Sequence, residues 1–159
     1  LIDTLKQNNK LIFIRHALAP GNGDPDEFNI LDCNTQRNLD SVGREQSLRL
    51  GQFFKINDIP IEAVLSSEWC RCKETAKLAF QNYETFKPLN SFYDPKFYKN
   101  KESQLINLKK FINNLQDEGN IVFVTHYVVI AAMFGVGVTS GEILIVDRNL
   151  NVLGSIEEY

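Results

Sequence analysis

The chain lacks a strong charge of either sign. Its 17 lysines and arginines stand against 20 aspartates and glutamates, a net charge of −3. A protein that coats nucleic acid carries a basic excess, so nucleic acid is not the expected partner. Any apolar stretch approaching the ~20 residues that a bilayer-crossing helix needs is also missing, and no membrane span is expected. No signal peptide stands out. Because the chain opens on Leu1 rather than Met, the compartment stays open between the cytoplasm and, where a signal peptide has been trimmed, the periplasm or the exterior. Cysteine is scarce, with only Cys33, Cys70 and Cys72. Cys70-x-Cys72 is too short for the usual zinc spacing and has no second Cys/His pair, so no metal site is expected. In an oxidising compartment Cys33 has two candidate disulfide partners, Cys70 and Cys72. Histidine is scarcest of the reactive residues: there are two, His16 and His126.

What is present fits one globular domain. Hydrophobic residues make up 43% and charged residues 23% of 159 positions, which excludes disorder and suits a single domain over residues 1–159. Strand-like runs alternate with helix-like ones. Residues 1–8 read as a short helix and Leu11–Arg15 as a strand. Residues 17–40 form a long irregular stretch rich in Gly, Pro, Asn and Asp, and a loop of that length inside a compact domain is usually functional or mobile. Ser41 reads as the N-cap of a helix reaching Asn57. A second strand is expected over 61–66, a helix over 68–80, a third strand over 88–93 and a helix over 101–117. In that last helix Leu105, Leu108, Phe111, Ile112 and Leu115 recur at helical spacing. Then come a strand at Ile121–Thr125, an apolar helix over 128–134, and a hairpin over 142–147 and 151–157. The pattern is that of a three-layer α/β/α sandwich, with a mostly parallel sheet and an antiparallel edge.

Both histidines follow directly on buried-type strands, in Leu11-Ile12-Phe13-Ile14-Arg15-His16 and Ile121-Val122-Phe123-Val124-Thr125-His126. Short apolar runs without alternation suit strands covered on both faces. Ligands of open α/β sheets bind beyond the carboxyl ends of the strands. Adjacent strands of this kind would bring both imidazoles to one rim with Arg15 beside them, a cationic site suited to a phosphoryl group. An imidazole attacks phosphorus through one ring nitrogen when the other donates its proton to a fixed acceptor. The Arg15 guanidinium offers planar donors matched to phosphate oxygens. Asn22 is either a neutral donor to the same anion or a plain turn residue. In Val64-Leu65-Ser66-Ser67-Glu68-Trp69-Cys70-Arg71 a strand ends in two serines able to cap the next helix, which places Arg71 in its first turn. An arginine there opposes the helix dipole unless an anion compensates it, and the exposed N–H groups attract such an anion.

The order Arg15-His16…Asn22, then Leu65-Ser66-Ser67…Cys70-Arg71-x-x-x-Thr75-Ala76, then Val122-x-Val124-Thr125-His126 resembles the histidine phosphatase superfamily, which contains phosphoglycerate mutases and acid phosphatases. The resemblance runs from residue 11 to about residue 147. It implies a phosphohistidine mechanism in which His16 matches the nucleophile, and Arg15, Arg71, His126 and Asn22 match the phosphate pocket. Residues 34–46, from Asn34-Thr35-Gln36-Arg37 onward, resemble the segment leading into the family's first long helix. There are departures. Ala17 stands where the family has Gly, a change the turn tolerates if its φ stays negative. Leu18-Ala19 replaces a Glu-Thr pair, which removes a hydroxyl. The family's general acid follows the third strand. The candidate here is Asp94 in Phe92-Tyr93-Asp94-Pro95, with Glu102 or Asp26 behind it, although Asp94-Pro95 also reads as a turn.

These observations lead to a small phosphatase acting on a phosphorylated small molecule or phosphoprotein. Protein cations take the place of a metal, and no cofactor is implied. The alternatives are a mutase of the same family, which returns the phosphoryl group to a second hydroxyl, and a module that binds a phosphorylated ligand with little turnover.

Overall fold

The computed structural model describes residues 1–159. Its elements, in chain order, are α1 (Ile2–Lys6), β1 (Leu11–Arg15), α2 (Ser41–Ile56), β2 (Ala63–Ser66), α3 (Cys70–Phe80), β3 (Glu84–Thr85), α4 (Lys101–Asn113), β4 (Ile121–Thr125), α5 (Tyr127–Phe134), β5 (Ile143–Val146) and β6 (Val152–Ile156). The six strands form one sheet in the order β3-β2-β4-β1-β5-β6. Pairing is parallel from β3 through β1, while β5 and β6 add an antiparallel edge.

Apolar strand residues alternate between two cores. Ile12, Ile14, Val122 and Val124 face the layer that contains Leu50 and Phe54 of α2 and Cys72, Ala76 and Ala79 of α3. Leu11, Phe13, Ile121 and Phe123 face Leu108 and Ile112 of α4 and Val129 and Ile130 of α5. The chain is therefore a three-layer α/β/α sandwich with both faces of the sheet covered. Phe13 and Phe123 are register partners and stack at 4.6 Å. Each fully buried side chain of this size contributes about 1.5–3 kcal/mol, so the two central strands are fixed side by side.

Four expectations need correction. Asp40, in extended conformation, caps α2 by accepting the Gly43 N–H at 2.9 Å, and Ser41 is the first helical residue. The segment 88–93 is not a strand. Pro88 has no N–H to give a sheet, so the chain makes a 3-10 turn at Lys87–Leu89, and the two-residue β3 takes the edge. α3 begins at Cys70 rather than residue 68, and α4 ends at Asn113.

Candidate active site

The strand ends assemble the site. Arg15 and Thr125 are register partners on β1 and β4, and the ladder continues one step as His16 N–H donates to the Thr125 carbonyl at 3.0 Å. Ser67 N–H donates in the same way to the Val124 carbonyl at 3.0 Å. His16, Ser67 and His126 thus leave the sheet at one level. The turn after His16 lies against two helices. Ala17 N–H donates to Thr75 Oγ1 of α3 at 3.0 Å, and Gly43 of α2 lies so close that a Cβ there would meet the Leu18 carbonyl oxygen at 2.0 Å. Ala17 is absent from the positive-φ residues, so the expected tolerance of the missing glycine holds.

Around this rim lies a cavity of about 220 Å³ lined by Arg15, His16, Asn22, Arg37, Arg71 and His126, among others. His16 Nδ1 lies 2.8 Å from the Ala17 carbonyl oxygen, which only accepts, so Nδ1 carries the proton and Nε2 keeps its lone pair. Arg71 Nε donates to that Nε2 at 3.3 Å. Burial, and next the Arg71 guanidinium, hold the His16 pKa well below its ordinary 6.5. The ring is therefore neutral. His126 packs edge-on to it with centroids 5.6 Å apart, and its Nε2 shares a 2.8 Å hydrogen bond with Ser67 Oγ. Burial first, then Arg71 and His16, lower its pKa as well.

The guanidiniums are crowded. Burial lowers the pKa of Arg15, and burial followed by Arg71 brings Arg37 down to about 10. Arg15 Nη1 donates to the Val138 carbonyl at 2.8 Å, but its buried Nε has no partner. Buried donors are normally satisfied, and an anion in the cavity would satisfy this one. Asp24 compensates Arg71, with Oδ1 accepting from Arg71 Nη1 at 2.8 Å and Oδ2 accepting from Trp69 Nε1 at 3.0 Å, and the buried Glu142 carboxylate acts on Arg15. Burial works to raise its pKa, yet the Arg71 hydrogen bond and charge prevail and it lies below the usual carboxylate value. Three guanidiniums against the two carboxylates of Asp24 and Glu142 leave a net positive charge beside neutral rings, suited to an anion. No group of three or more His, Cys, Asp or Glu side chains is placed to hold a metal ion.

The structure brings together His16, His126, Arg15 and Arg71, with Asn22 exposed on the rim. Asp94 does not line the cavity. Its Oδ1 accepts the Lys96 N–H at 3.0 Å in a local turn. Asp26 and Glu102 are exposed and also outside the cavity lining. Ser91 and Tyr93 occupy the wall instead. Asp24 and Arg37 were missed as site residues. The one clue in the sequence was the dipole argument at Arg71, which required an anion, and Asp24 is that anion. Cys33 pairs with Cys70, whose Cα atoms are 5.8 Å apart, and this ties the loop bearing Asp24 and Arg37 to the start of α3. Gln36 Oε1 accepts the Cys70 N–H at 2.9 Å at the same junction. Cys72 remains a buried thiol, pushed up to about 12 by that burial, and so stays protonated.

No curated protein sequence matches the chain. Solved structures do share its fold. A phosphoglycerate mutase from Thermus thermophilus superposes with a TM-score of 0.67 at 19% identity, covering 92% of this chain and 98% of the other. The product of an open reading frame of Mycobacterium tuberculosis gives a TM-score of 0.64 at 16% identity, covering 87% and 90%. At sequence level, the pattern of the histidine phosphatase superfamily (branch 1) matches residues 11–90, half of the chain, with the Arg15-His16 strand end and the Arg71 helix inside the match. The chain belongs to the histidine phosphatase superfamily.

Proposed function

We propose that this chain is a phosphatase that hydrolyses a phosphomonoester or phosphohistidine through a covalent phosphohistidine on His16. The observation that carries the reading is the state of that ring: Nδ1–H held by the Ala17 carbonyl, with Nε2 unprotonated at the floor of a cationic cavity. Nε2 attacks phosphorus in line while Arg15, Arg71, Asn22 and His126 take the equatorial oxygens. Arg37 adds a third fixed positive charge. Water then attacks the phosphohistidine, the P–N bond breaks, and Nε2 recovers its lone pair. Catalysis by positioning and charge stabilisation is usual for phosphoryl transfer.

Mutase-type transfer is the second reading, supported by the fold shared with the Thermus mutase. The two chains overlap over 92% and 98% of their lengths, so size does not separate them. One experiment tests both readings. Turnover of a phosphorus-labelled ester, quenched in base, should leave acid-labile label on the peptide spanning residues 11–22 and release inorganic phosphate. His16→Ala should lose label and turnover together while retaining its melting temperature. Label that moves to a second hydroxyl without free phosphate identifies a mutase. Near-normal activity of His16→Ala refutes the mechanism, and tight vanadate binding without turnover identifies a binding module.

A further inference from the structure

The wall of the phosphate cavity contains no carboxylate. Ser91 and Tyr93 form the wall next to Asp94 in the chain, Asp94 is engaged in its own turn, and Asp24 is committed to Arg71 and Trp69. The cavity also continues into a second, apolar trough. Tyr93, Tyr127 and Val128 line both spaces, and Phe92, Tyr98 and Lys101 extend the trough to about 380 Å³. Three of the chain's five tyrosines gather here, each substantially exposed: Tyr93 at 61%, Tyr98 at 58% and Tyr127 at 46%. Exposed aromatic rings beside a reactive centre are unusual on a free surface and suit a flat apolar ligand.

From the missing acid and the adjoining aromatic trough together, we infer that the substrates carry their phosphoryl group on a flat aromatic ring, a phenol or an imidazole, which lies along Tyr93, Tyr98 and Tyr127. The inference rests on the phosphatase reading and names its substrate class. The leaving-group chemistry agrees with the shape. A phenolate is the conjugate base of an acid of pKa roughly 10, whereas an alkoxide is about as basic as hydroxide, with a parent pKa of roughly 16. The alkoxide depends far more than the phenolate on a proton delivered as its bond to phosphorus breaks. In the aryl case Nε2 of His16 forms the new bond to phosphorus. The P–O bond breaks with its electron pair going to the phenolate, and solvent supplies the proton. Water then cleaves the P–N bond to give inorganic phosphate. An imidazole protonated on its far nitrogen leaves as a neutral ring by the same route.

The test compares kcat/KM for phenyl phosphate, ethyl phosphate and acetyl phosphate in the wild-type protein and in Tyr98→Ala. Acetyl phosphate has a good leaving group but no ring, so it separates ring recognition from freedom from acid catalysis. Phenyl phosphate should exceed ethyl phosphate by about 10²–10⁴-fold, the span that general acid catalysis is worth. Tyr98→Ala should lower the phenyl-to-acetyl ratio about threefold to tenfold. Phosphotyrosine and phosphohistidine peptides then distinguish the source of the ring, the better one showing the same sensitivity to Tyr98→Ala. Equal rates on phenyl and ethyl phosphate, with phosphohistidine still trapped on His16, overturn this inference and leave the phosphatase reading intact. An unmoved phenyl-to-acetyl ratio overturns it too. If Tyr98→Ala dissociates a dimer, the trough belongs to a second copy of the chain and the inference falls. Release of phosphate from none of the three substrates overturns both readings.

Discussion

His16 and His126 are each 3% exposed, and their surroundings keep both rings neutral. In the unfolded chain each ring would take up a proton near pH 6.5. In the folded chain each takes one up only at distinctly lower pH. Between those limits the unfolded state binds more protons, so stability rises with pH and is lost as pH falls below about 6.5. Two histidines act in the same window. Thermal melting followed from about pH 8 to about pH 5 should therefore hold steady and then decline, beginning well above the range where Asp24 would protonate. Replacing both rings with asparagine should flatten that decline. A wild-type melting temperature constant down to pH 5 would contradict the buried-neutral description of the rings. The same residues mark what sequence alone could reveal. His16, His126 and Arg71 stand at the end of a strand or the start of a helix, where local pattern fixes direction. Asp24 and Arg37 sit in irregular chain. Their role depends on contacts with residues far along the sequence, such as the 2.7 Å bond from Arg37 Nε to the Gly23 carbonyl and the Arg71–Asp24 pair.

Among the elements, the long loop between β1 and α2 is the least regular, yet it is pinned at both ends. Thr75 and Gln46 hold its start through Ala17 and Leu18, and the Cys33–Cys70 bond holds its far part to α3. Closing a chain separation of 37 residues restricts the unfolded state by about 4 kcal/mol in the chain-entropy description. Removing both sulfurs as Cys33→Ser/Cys70→Ser should lower the melting temperature, and a thiol reductant should bring the wild-type protein to the same value without affecting the double variant. A wild-type melt insensitive to reductant would show that the bond carries no stability. The odd cysteine count allowed two pairings. Only the packing of Cys72 among buried residues of α3, close to His126, separates the bonded thiol from the free one. The strands around the two histidines were legible because burial on both faces makes them unbroken apolar runs, and the apolar face of α4 because burial on one side imposes a period. β3 was not, since two exposed residues carry no period at all. The segment after it, read as a strand, is bent by Pro88 and engaged through Asn90, whose side-chain oxygen accepts the Glu68 N–H at 2.8 Å.

For the whole molecule, the order of the sheet sets a constraint that the finished fold conceals. β4 lies between β1 and β2, although it comes after both in the chain. During synthesis the first two strands leave the ribosome with no partner between them, and 54 residues separate Ser66 from Ile121. At the usual pace of translation that interval lasts about 3 to 11 seconds. Throughout it the apolar edges of Leu11–Arg15 and Ala63–Ser66 are open to wrong pairing. A fragment ending at residue 120 should accordingly bind hydrophobic dyes, aggregate on concentration and fail to bind vanadate; cooperative unfolding of that fragment would refute this. The half of the chain that carries the family's sequence signature thus waits, with its strand edges unpaired, until the strand before the second histidine is made.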